Sequence, residues 1–311
     1  MIRALAPLLM ALAFPAGAFE LAFPAGCTLG QDCYIQQYHD HDPGSEATDY
    51  TCGPLSYDGH DGTDIALPTR ADMAAGVAVL AAAPGVVKGL RDGVADAAPF
   101  PTGQDCGNGV VIGHGNGWET QYCHLKQGSV QVKTGEPVTT GTMLGQIGQS
   151  GRAEFPHVHF AVRHNGTKID PFAPEAIACG AAGDDLWAGD LPQQPGGILG
   201  LGLTDQVPEF NAIKAGLPSP NLPTTAPALV VWVYVFGPRA GDAILVELIG
   251  PEGALVSERV QMERTQALAF RAVGRKLTLP AWPAGTYSAS ATLMRDRAEL
   301  SRQEMTLTLT P

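Results

Sequence analysis

The sequence predicts a mostly β protein, in which a compact antiparallel β module of barrel-sandwich type precedes a small immunoglobulin-like β-sandwich. Three observations support this fold class. Short apolar segments alternate with turns rich in the 38 glycines and 25 prolines of the chain. No long segment has the apolar spacing of an amphipathic helix. The 311 residues also suit about two domains of roughly 100–200 residues each.

The first module, predicted at residues 19–180, begins with an irregular, cysteine-rich lead-in and continues as strand pairs around tight turns. Val110–Gly113 and Glu119–Leu125 flank the turn Gly115-Asn116-Gly117. The segment His157–Arg163 precedes Asn165-Gly166, and Asn-Gly is the strongest short-range hairpin signal. These pairs predict antiparallel hairpins.

The second module is predicted at residues 226–311, after a Pro/Gly-rich linker at residues 181–225. Within the linker, Ile198–Leu203 is apolar enough to pack on a neighbour. The following segments recur at short spacing with turn residues between them, as in a small sandwich: Ala228–Phe236, Ala243–Leu248, Leu255–Met262, Ala267–Ala272, Tyr287–Leu293 and Glu304–Leu309. None of them carries a cluster of residues suited to catalysis.

Residues 1–18 are predicted to be a signal peptide. Arg3 supplies a positive start, Ala4–Phe14 an apolar stretch and Ala16-Gly17-Ala18 a small-residue cleavage site. The apolar stretch is too short to span a bilayer, and no later apolar run is long enough. We therefore expect an exported, periplasmic or secreted, soluble protein without a transmembrane segment.

Six cysteines fit an oxidising compartment, where an even number usually forms disulfides. Cys106 and Cys123 flank the hairpin around Asn116 at nearly facing positions, so we expect them to pair. The other expected pairs are Cys33–Cys52 and Cys27–Cys179. Lipidation of Cys27, at the end of Ala25-Gly26-Cys27, is the alternative. The preceding Pro24, and the odd number of cysteines that would remain, disfavour it.

The charge balance excludes one class of partner. Nineteen basic residues against 31 acidic ones give a formal net charge of −12. Because no basic excess exists to displace counterions from phosphates, we expect no nucleic-acid partner.

Candidate metal ligands occur in two short phrases. In Gly59-His60-Asp61-Gly62-Thr63-Asp64, His60 and Asp64 are both good zinc ligands, and the intervening glycine lets the chain fold back. Taken alone, this phrase is more typical of a polar turn. In Pro156-His157-Val158-His159-Phe160, His157 and His159 lie on one face of a strand. Two histidines are costly to bury without partners, so a metal site explains them better than packing.

Together with Tyr122-Cys123-His124-Leu125, these phrases resemble the lysostaphin/LytM-type family of zinc metallopeptidases, peptidase family M23, which are peptidoglycan endopeptidases. The resemblance includes Asn108–Ile112, Gly145–Gly148 and Ser150-Gly151, and it covers roughly Gly59 to Phe172. It implies one Zn²⁺ per chain, held by His60, Asp64 and His159. It also implies that His124 and His157 handle the water and the tetrahedral intermediate, in either order.

The resemblance implies hydrolysis of peptide crosslinks between peptidoglycan stem peptides. Two alternatives remain open: a non-catalytic module that binds the wall or activates amidases, and a secreted peptidase that acts on foreign walls or proteins. The complete set of ligand residues disfavours the first alternative. A further metal-like phrase, His39-Asp40-His41, precedes a proline in the irregular region and is predicted to be a solvated loop.

Overall fold

A computed structural model of the chain describes residues 19–181, 183–218 and 220–310. The predicted signal peptide lies outside the described residues. The predicted fold class is confirmed at the level of a mostly β protein built from antiparallel sheets. No helix among the described residues reaches the length and apolarity that a bilayer crossing requires.

The first unit contains an eight-stranded antiparallel sheet, a two-stranded sheet and one short helix. Its elements are β1 (Tyr34–Gln37), β2 (Thr63–Ala66), α1 (Arg70–Ala75), β3 (Ala78–Leu80), β4 (Gly85–Arg91), β5 (Asn108–Gly115), β6 (Trp118–Leu125), β7 (Pro137–Val138), β8 (Met143–Gln146), β9 (His157–His164) and β10 (Thr167–Ile169). The main sheet runs β1-β2-β9-β6-β5-β4-β7, with β10 also paired to β9, while β3 pairs with β8.

Both predicted hairpins close through two-residue turns. Asn116 and Gly117 have φ angles of 49° and 81° between β5 and β6, and Asn165 and Gly166 have φ angles of 51° and 81° between β9 and β10. Two successive positive φ values define the hairpin turn that matches strand twist, and they explain the Asn-Gly pair. This local chemistry sets the register of the strands that carry the candidate site.

The second unit is a sandwich of two antiparallel sheets. Its elements are β11 (Gly197–Thr204), α2 (Phe210–Gly216), β12 (Ala228–Phe236), β13 (Ala243–Gly250), β14 (Gly253–Gln261), β15 (Leu268–Lys276), β16 (Gly285–Arg295) and β17 (Ala298–Leu309). One sheet runs β11-β12-β15, the other β14-β13-β16-β17, and one core of alternating side chains lies between them. Its immunoglobulin-like character stays a prediction.

The passage predicted as a linker contains secondary structure. Residues 197–204 form β11, which pairs along its length with β12, so the sandwich begins before residue 226. The apolar segment Ile198–Leu203 supplies this strand, because Ile198 and Leu203 are buried in the sandwich core. The chain before it also packs: the backbone N–H of Ile35 donates to the Gln194 side chain at 3.0 Å.

The disulfide prediction is confirmed for one pair and wrong for two. Cys106 pairs with Cys123, as the hairpin suggested. The other bridges are Cys27–Cys33 and Cys52–Cys179, with Cα–Cα distances of 6.0 and 5.1 Å. A tight turn at Thr28 brings Cys27 to Cys33, since the N–H of Gly30 donates to the Cys33 carbonyl. The bond from the Gly180 N–H to the Tyr50 carbonyl brings Cys179 to Cys52.

Candidate metal centre

Strand register brings the predicted site residues together at one place on the main sheet. Asp64 on β2 lies opposite His159 on β9, and Cys123 on β6 lies on the other side of His159. His124 follows Cys123, and His60 lies in the turn that leads into β2. Because β9 lies between β2 and β6, three separate phrases of the sequence meet across two strand pairings.

Three donor atoms converge at this position. His60 Nε2 lies 3.1 Å from Asp64 Oδ1 and 3.2 Å from His159 Nδ1, and His159 Nδ1 lies 2.9 Å from Asp64 Oδ1. Ligands about 2.1 Å from a tetrahedral zinc ion lie about 3.4 Å from one another. The observed triangle is therefore close to the size that zinc requires. Two imidazoles and one carboxylate are also a donor set that zinc prefers.

Backbone and carboxylate partners select which nitrogen of each candidate ligand histidine faces the other donors. The His60 Nδ1–H donates to the Tyr38 carbonyl at 2.6 Å, which leaves Nε2 free to bind a cation. His159 has the opposite orientation: its Nε2–H donates to Asp61 Oδ1 at 3.1 Å, which directs Nδ1 towards His60 and Asp64. Such outer partners fix the tautomer and orientation of metal-binding histidines.

Charge at the centre favours a cation. Burial raises the pKa of Asp64, but His60, His157 and His159 outweigh this effect and hold it well below its usual value. Burial lowers the pKa of His159, but its hydrogen bonds to Asp61 and Asp64 outweigh burial and raise the pKa to about 9, so that a zinc ion would displace a proton from Nδ1. The two carboxylates thus stabilise positive charge at the point where the donors meet. The residues present therefore fit a zinc ion.

His124 and His157 lie beside the three donors but outside the triangle. Their ring centroids are 4.6 Å apart. The Nδ1–H of His124 donates to the Ser150 carbonyl at 2.8 Å, and that of His157 donates to the Phe155 carbonyl at 2.9 Å. Each ring therefore keeps a free Nε2. Burial, followed by the charges of His157 and His159, lowers the pKa of His124 to about 3.

Burial also lowers the pKa of His157. Both imidazoles are therefore neutral at neutral pH, with one nitrogen lone pair each available to accept a proton. His157 Nε2 lies 3.6 Å from Asp64 Oδ1, a longer distance than any within the donor triangle.

The backbone at His124 is unusual and is held by the neighbouring disulfide. His124 has a φ angle of 64°, in the left-handed region that few non-glycine residues adopt. Its N–H donates to the Cys106 carbonyl at 2.8 Å, and Cys106 is bonded to the adjacent Cys123. The bridge thus anchors the backbone that orients the His124 ring. The strained backbone is a feature that sequence reasoning missed.

Gly62 explains why a glycine separates His60 from Asp64. A Cβ atom at this position would lie 2.7 Å from the Phe160 carbonyl oxygen and 2.8 Å from two atoms of the His159 ring. Any side chain would therefore displace β9 or the ring. The glycine permits the close approach that forms the donor triangle.

Comparison with known proteins identifies this part of the chain. Residues 58–171 match the description Peptidase family M23. The segment is a peptidase family M23 domain. The peptidoglycan DD-endopeptidase ShyA of Vibrio cholerae is 34% identical over 111 residues, which cover 36% of this chain and 22% of that protein. The DD-carboxypeptidase/endopeptidase Mpg of Neisseria meningitidis serogroup B is 35% identical over 114 residues, with coverage of 36% and 22%.

The chain thus spans about a fifth of the length of these relatives. Among solved structures, a zinc containing peptidase from Vibrio cholerae has 25% sequence identity and a TM-score of 0.35, covering 52% of this chain and 40% of that one.

A cleft of about 260 Å³ lies beside the donor triangle of the M23 domain and is lined by one residue of the triangle, His159. The residues lining it are Tyr57, Asp61, Asp105, Cys106, Gln121, Cys123, His124, Arg152, His159 and Arg163. Sequence reasoning had singled out His124 and His159 for the site, but not Tyr57, Asp61, Arg152 or Arg163. The Tyr57 ring lies 4.5 Å from the His60 ring and is half exposed, so it forms part of the cleft wall.

His39-Asp40-His41 was predicted to be a solvated loop. That prediction is wrong, because the His41 side chain is buried. Its Nε2–H donates to Asp170 Oδ2 at 2.7 Å, and only 5% of the His41 side chain and 1% of the Asp170 side chain are exposed. The segment packs behind the donor triangle, where the Asp40 N–H donates to the His60 carbonyl. It therefore supports the turn that carries His60 in the M23 domain.

Proposed function

We propose that this protein is an exported zinc metalloendopeptidase that hydrolyses peptide crosslinks in bacterial peptidoglycan. The observation that carries the proposal is the convergence of His60 Nε2, Asp64 Oδ1 and His159 Nδ1 beside two neutral histidines that lie outside the triangle. Three protein donors leave a fourth tetrahedral position open, as in catalytic rather than structural zinc sites.

The residues divide into two roles in this proposal. His60, Asp64 and His159 would hold the ion, which would act as a Lewis acid and lower the pKa of a water molecule. The free Nε2 of one of the neutral histidines, His124 or His157, accepts the proton of the attacking water and passes it to the leaving amine. The Nε2 of the other histidine takes up a proton from solvent as negative charge develops beside it, and it then donates a hydrogen bond to the oxyanion.

The substrate class rests on the similarity to ShyA and Mpg, whose names describe endopeptidases, in the case of ShyA a peptidoglycan DD-endopeptidase. Three disulfides support an oxidising compartment outside the cytoplasm, where peptidoglycan lies. Export by a signal peptide at residues 1–18, one zinc ion per chain and action on the stem-peptide crosslinks all belong to the proposal.

Digestion of purified peptidoglycan, followed by mass analysis of the released fragments, tests the function. The zinc-loaded protein is expected to release peptide-cleaved fragments, whereas the chelator-treated protein and Asp64→Ala are expected to release none. His164→Ala is the matched control, since His164 stacks on Trp118 away from the cleft. Intact peptidoglycan after treatment with folded, zinc-loaded protein would contradict the proposal and favour a non-catalytic wall-binding module. Cleavage of unrelated proteins at the same rate would favour a general secreted peptidase.

A further inference from the structure

We propose that Arg163 is a carboxylate-binding residue of the cleft, so that the preferred substrate is a peptide with a free carboxylate about four residues from the scissile bond. This inference rests on the proposed function, which it deepens by naming the charge that the substrate carries. The inference is based on the contact between the Arg163 and Gln121 side chains and on the uncompensated charge of Arg163 in the cleft.

Arg163 lies on the same strand face as the donor triangle. Side chains alternate along a strand, so Arg163 shares the face of β9 with His159 and His157. It lines the same cavity as His124 and His159. The Cα atoms of His159 and Arg163 are separated by about 13 Å along an extended strand. A peptide bound along β9 therefore reaches Arg163 within about four residues of the metal centre.

The guanidinium is held in place by a neutral partner. One Arg163 Nη donates to Gln121 Oε1 on the neighbouring strand β6 at 2.7 Å. A guanidinium has five N–H donors in a planar fork, and the bond to Gln121 uses one of them. A neutral acceptor orients the side chain without cancelling its charge. The remaining donors form the planar arrangement that matches a carboxylate.

Charge pairing around the cleft leaves Arg163 uncompensated. Asp105 forms an ion pair with Arg152 at 2.7 Å. Asp61 is bonded to both Lys168 and His159. These pairs compensate the negative charge of both acidic residues that line the cleft.

The acidic residue opposite Arg163 in the strand register also forms an ion pair with another residue. Glu119 on β6 faces Arg163 across the β6–β9 pairing, but it forms an ion pair with Lys88. Within the described part of the chain, Arg163 forms no ion pair with a carboxylate. In a protein with 31 acidic and 19 basic residues, an unpaired, half-buried guanidinium in the cleft that His159 also lines favours an anionic ligand.

A matched pair of probes tests the inference on the full-length, zinc-loaded protein. One probe is a crosslinked stem-peptide dimer with free carboxylates, and the other is the same dimer with those carboxylates converted to carboxamides. Binding is measured in the His124→Ala background to prevent turnover, with and without Arg163→Gln. Hydrolysis of both dimers by the unsubstituted protein is measured separately.

We expect the carboxylate dimer to bind about 10- to 100-fold more tightly than the carboxamide dimer, because charge-assisted, bidentate hydrogen bonds are stronger than neutral ones. Arg163→Gln should abolish this preference without changing zinc content, and Arg163→Lys should retain part of it. Arg259→Gln, which removes an exposed arginine of β14, is the control and should retain all of it.

Equal affinity for the two dimers, a preference that survives Arg163→Gln, or no binding of either dimer would overturn the inference. Failure of the proposed function has a different signature: the unsubstituted, zinc-loaded protein would hydrolyse neither dimer, while the binding preference would still decide the role of Arg163.

Discussion

At the scale of single residues, hydrogen-bond partners decide which nitrogen each site histidine presents. His60, His124 and His157 each donate Nδ1–H to a backbone carbonyl and present Nε2. His159 differs because the Asp61 carboxylate accepts its Nε2–H. The donor triangle depends on this difference, since it is Nδ1 of His159 that lies near His60 and Asp64.

Asp61 should therefore control zinc affinity without being a ligand. Asp61→Ala removes the acceptor that orients His159, and we expect zinc affinity to fall by about 10- to 100-fold. Hydrolysis should recover at saturating zinc, because all three ligands remain. Competition with a zinc chelator of known affinity measures the effect.

Asp58→Ala is the matched control, because it removes an exposed carboxylate three residues away along the chain. The zinc affinity of Asp61→Asn should lie between those of the unsubstituted protein and Asp61→Ala, since the asparagine oxygen can still accept the Nε2–H of His159 while the charge is lost. Unchanged zinc affinity in Asp61→Ala would mean that His159 keeps its orientation without this carboxylate.

The sequence predicted which residues meet at the centre but not how they are oriented. His60, Asp64 and His159 could be predicted because their short spacings match a known family and imply a strand face. Asp61 belongs to the same phrase, yet its contact to His159 arises only when β2 pairs with β9. Arg163 and Gln121 meet only across the β6–β9 pairing, which spacing within one phrase cannot reveal.

At the scale of elements, the β5–β6 hairpin and its disulfide position His124. The bridge joins cysteines 17 residues apart and holds the carbonyl that accepts the His124 N–H. A positive φ angle at a histidine persists only where the surrounding structure enforces it. We therefore expect the disulfide to affect the orientation of His124 as well as stability.

Replacing both bridge cysteines, in Cys106→Ala/Cys123→Ala, should lower the free energy of unfolding by about 3 kcal/mol according to the loop-entropy relation. Zinc content should stay near one per chain, because no ligand is changed. The hydrolysis rate should fall, because the His124 backbone is less constrained. Denaturant unfolding, metal analysis and kinetics on one preparation separate these effects. A variant with normal hydrolysis and reduced stability would restrict the bridge to a structural role.

Turn residues in the local sequence predicted the hairpins, whereas most disulfides and one strand were not predicted. The Asn-Gly turns gave both hairpins, because two positive φ values are a property of those residues themselves. The Cys52–Cys179 bridge could not be predicted, since its cysteines are 127 residues apart and are brought near by tertiary packing. The Cys27–Cys33 bridge was missed although it is local, because the irregular lead-in offers no strand pairing that places the two cysteines opposite each other. The strand β11 was hidden by its glycines and by the proline-rich passage around it.

At the scale of the whole molecule, the sandwich packs against the M23 domain away from the cleft. Tyr34, Ala66 and Phe236 form a shared apolar cluster, in which the rings of Tyr34 and Phe236 are 4.6 Å apart. The Gln36 side chain also donates to the Ala267 carbonyl at 3.1 Å. All residues lining the cleft belong to the first unit. The sandwich should therefore affect stability rather than chemistry.

Phe236→Ala tests whether the packing between the sandwich and the M23 domain stabilises both units. Truncation of a buried phenylalanine typically costs about 3–5 kcal/mol, and here the loss falls on the contact between the two units. We expect a lower unfolding midpoint for both units together, with hydrolysis unchanged at temperatures where the protein is folded. Leu279→Ala is the control, since Leu279 is exposed. A shift confined to the sandwich transition would show that the units unfold independently.

The zinc content of His157→Ala and His159→Ala tests the proposed centre most directly, because these two histidines share one face of β9 two residues apart. Metal analysis and hydrolysis of both folded variants are compared with the unsubstituted protein. We expect His157→Ala to retain zinc near one per chain and to lose hydrolysis by about 10²–10⁴-fold, as for removal of a proton-transfer group. His159→Ala should lose the metal and the activity together. A zinc-free His157→Ala beside a zinc-loaded His159→Ala would contradict this arrangement of ligands.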